Sequence, residues 1–395
     1  MELRDCASLE KLPGKMHAPR HLSIENCPKI VGLTIPSDGP SSNNSMPQLE
    51  SLEVIHCYSL TSIWVAKGRL AALKTLYISE CERVESLEEI STGESLESLT
   101  IAWCENLGSL PRCLHALSHL TKLMISGCPA LEIEEDFPPL PITLSKLVLW
   151  HCPKIKSIAS SNIANCKNLT HLDIANCPAL EIEEDFPPLP TTLSTLELSS
   201  CPKIKCLPNQ WHHLTSLQSI YICNCPNIKC FPEGGFPPNL RVLEICGYEN
   251  LKQPVREWGL PLLTSLQSLT IGFGRSMGGG EAEKVWFPPS EEDDEEDAWS
   301  LVFPPSLTYL CIYNMRKVER LSSGLRSHLS SLTHLVIYGC PKLRDLPEDG
   351  LPPSLQYLSV TGCSNLKEGC SKLTGHYWPL IQDIPSIYID GVWTH

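Results

Sequence analysis

Leu120-Thr-Lys-Leu123-Met-Ile125-Ser-Gly-Cys128 is followed 24 residues later by Leu144-Ser-Lys-Leu147-Val-Leu149-Trp-His-Cys152. The shared phrase is an apolar residue, two variable ones, Leu, one variable, Ile or Leu, two variable, then Cys. It recurs fifteen times. Its last slot falls at positions 6, 27, 57, 81, 104, 128, 152, 177, 201, 225, 248, 274, 315, 340 and 363, with Tyr248, Gly274 and Met315 in place of Cys. Most steps are 23 to 26 residues. Within each copy, apolar and variable residues alternate as they should in a short strand with one buried face. A unit that small cannot bury its apolar face alone, so neighbouring copies must stack.

A fixed period in this range is the signature of a leucine-rich repeat, which predicts an α/β solenoid. The expected form is a horseshoe of about 15 repeats with a parallel β-sheet on its concave face. Proline is concentrated in the returning half of each repeat: Phe-Pro-Pro begins at Phe137, Phe186, Phe236, Phe287 and Phe303, and Leu-Pro-Pro at Leu351. Proline fixes φ and removes a donor, so the convex side should be mostly irregular, with single helical turns near 112–117 and at Trp211-His-His. The solenoid is expected to span 1–369, with an acidic loop insertion at about 275–303 that includes the run Glu291 to Asp297, and a milder one at Ser37 to Ser45. Residues 370–395, with Trp378, Ile381, Ile384, Ile387 and Ile389, should form an apolar cap. The first copy starts in mid-phrase at Met1, which predicts a chain that continues a longer protein. The fourteen residues from Cys128 to Pro141 recur unchanged from Cys177 to Pro190, so the array has grown by duplication of two repeats.

Composition narrows the function. The formal charge is −14, which disfavours nucleic acid as a partner, since phosphate binding needs clustered Lys and Arg. There is no run of eighteen apolar residues, so no membrane span is expected. Of twenty cysteines, twelve occupy the last slot of the phrase. The ladder Cys57, Cys81, Cys104, Cys128, Cys152, Cys177, Cys201, Cys225, Cys340 and Cys363 should be buried, reduced and structural, filling a slot that other such repeats give to Asn. Phosphate-loop, nucleophile-elbow and zinc-protease motifs are missing from the sequence, so no enzyme activity and no cofactor are expected. Cys223 with Cys246, and Cys206 with Cys230, share slots in adjacent repeats. Free thiols are expected there, and no metal, because no His is placed to complete four ligands. His212 and His213 are expected to point apart.

Recognition is expected between the framework residues. Aromatic side chains at variable positions of the phrase are Tyr77, Trp103, Trp150, Tyr221, Phe273, Tyr309, Tyr313, Tyr338 and Tyr357, and five of the nine fall in the last four repeats. Such rings dominate interface energetics, so a protein ligand on the concave face is expected; the alternative is that the rings only pack on one another. His171, Asp173, Glu197, Glu244 and His334 would form its polar rim.

The repeat phrase continued as CxxLxxLP, the FPPSL approach at Phe303 and the closing HYWPLIQDIPSIYIDG resemble the C-terminal repeats of plant intracellular immune receptors. These are the nucleotide-binding leucine-rich-repeat disease resistance proteins of the coiled-coil class. The resemblance implies a cytoplasmic module that recognises a pathogen effector, directly or through a guarded host protein. It also implies restraint of a nucleotide-binding domain that lies outside this chain. Two alternatives stay open: the substrate-recruiting subunit of a ubiquitin ligase, and a truncated receptor fragment without its own ligand.

Overall fold

A computed structural model of the protein describes residues 1–12, 19–34, 48–64, 72–87, 95–111, 114–133, 137–158, 160–183, 186–272, 286–288 and 302–394, apart from 210, 233, 249, 252, 254 and 373. Two compact units emerge, Met1–Ile204 and Lys205–His395. Of the acidic insertion only residues 286–288, which hold the strand Trp286–Phe287, and 302–303 are described, and Ser37 to Ser45 lies wholly outside the described residues.

In the first unit, nine short strands follow the repeat phrase, from Glu2–Arg4 and His21–Glu25 through Lys122–Ser126 and Lys146–Trp150 to Thr195–Ser199. Successive strands pair in parallel with like positions opposed, Leu123 against Leu147 and Ile125 against Leu149. The period of two decides which side chains go inside. In Lys122–Ser126, Leu123 and Ile125 have no exposed surface, while Met124 and Ser126 face outward. Each fully buried Leu or Ile contributes about 1.5–3 kcal/mol. The unit therefore gains a core in proportion to its number of rungs.

The turn that ends each strand has one conformation. The residue just before the Cys slot is left-handed in all nine rungs, with φ of 51–63°, from Asp5 and Asn26 through Trp103 and Gly127 to Ser200. Its N–H then bonds the last carbonyl of the next strand, as His56 N donates to Ser79 O at 3.0 Å and Asn176 N to Ser199 O at 2.8 Å. The turn delivers the Cys side chain inward, where its thiol donates to the carbonyl two residues back. These contacts run 3.4 Å from Cys81 to Ser79 O, 3.4 Å from Cys128 to Ser126 O and 3.5 Å from Cys152 to Trp150 O. A second carbonyl from the preceding rung lies 3.9 Å away, Ile125 O for Cys152. The thiol thus adds a second, weak S–H contact to strand-end carbonyls that already accept a backbone N–H from the neighbouring rung.

The second unit repeats this construction. Strands Ser219–Cys223, Val242–Cys246, Ser268–Gly272, Tyr309–Tyr313, His334–Tyr338 and Tyr357–Thr361 stack in parallel and in register. Ser386–Ile389 adds a parallel seventh, and Val392–Trp393 folds back antiparallel onto it. Behind the sheet, Trp211, Phe231, Phe236 and Trp258 pack ring on ring at centroid distances of 4.9–6.1 Å. Helices among the described residues are short, at Ser160–Asn165, Leu325–His328, Ser364–Gly369 and Trp378–Ile381, with 3₁₀ turns at Leu114–Ala116 and Trp211–His213. The proline-rich returns thus carry few helices, as the sequence implies. All ten ladder cysteines are buried, and the nineteen cysteines among the described residues are unbridged.

Candidate protein-binding face

Strand register turns the outward side chains of the second unit into three columns. The first runs Ser219, Val242, Ser268, Tyr309, His334, Tyr357 and Ser386; the second Tyr221, Glu244, Thr270, Cys311, Val336, Ser359 and Tyr388; the third Cys223, Cys246, Gly272, Tyr313, Tyr338 and Thr361. In-register parallel strands lie about 4.8 Å apart, so residues of like type form ladders.

Two such ladders are aromatic. Tyr313 and Tyr338 stack with centroids 5.2 Å apart and planes 7° from parallel. In the first column, His334 lies between Tyr309 at 6.2 Å and Tyr357 at 5.7 Å, and Trp393 continues the row 6.1 Å beyond Tyr357. Gly272 allows Tyr313 its close seat on the neighbouring strand: a Cβ there would collide with the backbone carbonyl and Cβ of Tyr313. The four tyrosines remain half-buried and Trp393 stays 59% exposed. The rings therefore pack on one another and remain partly exposed to solvent.

Beside them lies a concavity of about 690 Å³ lined by Cys223, Asn224, Glu244, Cys246, Thr270, Tyr309, Cys311 and Tyr313. Three of its titratable groups, Tyr309, Cys311 and Cys246, are held protonated. Burial pushes the Tyr309 hydroxyl up to about 12 and the Cys311 thiol up to about 11. Cys246 is raised by its hydrogen bond with Cys223 and by burial. Glu244 accepts hydrogen bonds at one carboxylate oxygen from Cys223 Sγ, at 3.4 Å, and from Cys246 Sγ, at 3.6 Å.

The first unit carries a smaller aromatic group. Tyr77 and Trp150 stand on outward strand positions, half-buried and 36% exposed. Trp103 does not: it is the left-handed turn residue, φ 54°, one position past its strand. A bulky residue is rarely found there. Its ring lies over Gly127, where a Cβ would come within 2.5 Å of Trp103 Cε3, and meets Trp150 edge-on at 5.4 Å. Tyr221 takes the central column in the second unit, and Phe273 lies outside the described residues. His212 and His213 depart from expectation, since the 3₁₀ turn at Trp211–His213 brings their rings to 4.0 Å instead of splaying them. Of the groove's lining, Glu244 was expected at the polar rim and Tyr309 and Tyr313 among the contact aromatics; Cys311 and the ring of Trp393 were not expected as contact features. Trp393 sits in the tail with no repeat to place it, and Cys311 falls in a copy whose last slot is Met315.

Register, core and open aromatic face together define a leucine-rich-repeat solenoid. No protein-family model matches the chain. It is 31% identical over 411 residues to At3g14460 of Arabidopsis thaliana, which is named as a disease resistance protein; the match covers 99% of this chain and 24% of that relative. It is 25% identical over 169 residues to disease resistance protein RPP5 of Arabidopsis thaliana, covering 37% of this chain and 11% of the other. It is also 25% identical over 116 residues to the TMV resistance protein N of Nicotiana glutinosa, covering 29% and 10%. Its homologues are thus plant disease resistance proteins, and it spans about a quarter or less of their length. Among solved structures, the leucine-rich-repeat protein LIC12759 of Leptospira interrogans aligns over 98% of this chain and 94% of its own, with a TM-score of 0.50 and 18% identity. That likeness concerns the fold alone. Among the described residues, no helix is long and apolar enough to cross a membrane.

Proposed function

We propose that this chain is the recognition module of a plant innate immune receptor. It binds a protein ligand, either a pathogen effector or a guarded host protein, through the outward sheet face of the second unit. The observation that carries the reading is the pair of aromatic ladders, Tyr313–Tyr338 and Tyr309–His334–Tyr357, half-exposed on strands whose cores are fixed. Tyrosines on a rigid scaffold offer large contact area at small entropic cost, the profile of interface hot spots. The disease resistance homologues support a defence role. Further parts of the proposal are the coiled-coil class of the parent, restraint of its nucleotide-binding domain, and residence in the cytoplasm. The many unbridged thiols support a reducing compartment.

The test compares tagged wild type with a Tyr309→Ala/Tyr313→Ala/Tyr338→Ala variant expressed in pathogen-challenged plant tissue. The expected result is a specific co-purifying protein that the variant loses while its unfolding transition is unchanged. Equal recovery by both proteins removes the reading.

A further inference from the structure

We infer that Cys223, Glu244 and Cys246 form a binding site for a divalent transition-metal ion, of which zinc is the best match. The site stands whether or not the sheet face recognises a protein. Its geometry comes from register: Cys223 and Cys246 are lateral neighbours in the third column, and Glu244 lies two residues before Cys246 on the same outward face. One potential ligand atom from each of the three residues lies within 4.8 Å of the other two. For tetrahedral zinc, with bonds of about 2.3 Å to sulfur and 2.0–2.2 Å to oxygen, neighbouring S and O ligands should be roughly 3.6 Å apart. The observed separations of Glu244 Oε1 from the two sulfurs are 3.4 and 3.6 Å. The three groups need little movement to close on an ion.

Chemistry agrees with geometry. No Lys, Arg or His lines the concavity among the described residues, so nothing there balances the Glu244 carboxylate. A divalent cation would. Each thiol gives up its proton to solvent on binding, two protons per ion, and the resulting two thiolates and one carboxylate carry −3 against +2. Thiolate and carboxylate donors favour zinc or cobalt over calcium and magnesium, which take oxygen ligands. Three protein ligands leave the fourth vertex facing the concavity beside Thr270 and Cys311, available to water or to a side chain of a docked protein.

The direct experiment titrates the reduced, folded chain with zinc against a chromophoric chelator, and with cobalt followed by its thiolate charge-transfer and ligand-field absorption. The expected result is one ion per chain, about two protons released per zinc near neutral pH, and a tetrahedral cobalt spectrum. Cys223→Ser/Cys246→Ser should abolish both signals. Glu244→Gln should weaken zinc by at least the roughly 10- to 100-fold that loss of a supporting group costs. Cys206→Ser/Cys230→Ser should leave binding unchanged. A measurement on the wild type needs no variant to fold: zinc should slow alkylation of Cys223 and Cys246 selectively, as mapped by mass spectrometry. The inference is overturned if the wild type takes up no zinc at micromolar concentration, if alkylation of these two cysteines ignores zinc, or if they are recovered from the cell as a disulfide.

Discussion

Raising the pH should unfold the first unit through its cysteine ladder, and the size of the effect follows from burial. Cys104, Cys128 and Cys152 have no exposed surface. Burial pushes their thiols from an ordinary value of 9.0 up to about 12, about 11 and about 12. A raised folded pKa means that the fold binds the proton more tightly than the unfolded chain does. The stabilisation is therefore complete below pH 9 and is lost as the pH rises toward 11 and 12. At pH 10 each unfolded thiol is tenfold ionised while its folded counterpart stays protonated, which costs about 1.4 kcal/mol per thiol. Three thiols remove about 4 kcal/mol, a large part of the roughly 5–15 kcal/mol that holds a domain folded. Other groups titrate in this range too, so the informative comparison is with Cys104→Ala. That variant should be less stable than the parent by about 1–2 kcal/mol at pH 7, through loss of the sulfur from a filled core. Its stability should then fall less steeply between pH 9 and 11, by about 1.4 kcal/mol per pH unit. Urea unfolding followed by circular dichroism at half-unit steps, with a phosphine reductant present, measures both. Parallel slopes for parent and variant would refute the argument, because ionisation of Cys104 would then be uncoupled from folding.

Three further outcomes follow from single positions. Asp173 has a buried carboxylate oxygen with no hydrogen-bond partner, and burial together with Glu197 pushes its pKa from 3.8 up to about 6. The shift is about two units, at most about 3 kcal/mol, which solvent screening at a half-buried site reduces to about 1 kcal/mol; Asp173→Asn should stabilise by that amount at pH 7 and by nothing at pH 3.5 in denaturant titrations. Gly272→Ala should destabilise the second unit by about 1–3 kcal/mol, the usual cost of overpacking, because the new Cβ meets Tyr313 backbone; a neutral result in thermal unfolding would contradict the close approach. A double-mutant cycle of Trp103→Ala and Trp150→Ala should give a coupling of about 0.5–1.5 kcal/mol if the edge-on contact persists in solution, and a coupling of zero if it does not.

Much of this architecture is written in the period. The buried pair in each strand, the inward Cys and the scarcity of helix follow from spacing and from proline, because one repeat's constraints recur in every other. What the period conceals is what varies between copies. The left-handed turn before the Cys slot carries Asn26, Asn176, Asn224 and Asn314, residue types that tolerate positive φ. It also carries Glu80, Trp103 and Ser200, which do not advertise it. Trp103 was therefore placed on the strand face when it belongs to the turn. The Cys223–Glu244–Cys246 cluster was hidden for a different reason. Searching for a histidine to complete two thiols overlooks a carboxylate 21 residues from one of them and two from the other, which only strand register brings alongside. The aromatic rows were legible as candidates, yet the close approach of Gly272 to Tyr313 follows only from strand register.

The central claim is that half-exposed rings on the sheet face of the second unit carry recognition. Its most direct test is the affinity of the purified co-purifying protein for Tyr313→Ala and Tyr338→Ala, measured by calorimetry beside Lys342→Ala, an exposed substitution off the ladder strands. Each tyrosine variant should lose at least about 30-fold, about 2 kcal/mol as expected of a hot spot, with Lys342→Ala unchanged. Tyrosine variants that bind as tightly as the wild type would contradict it.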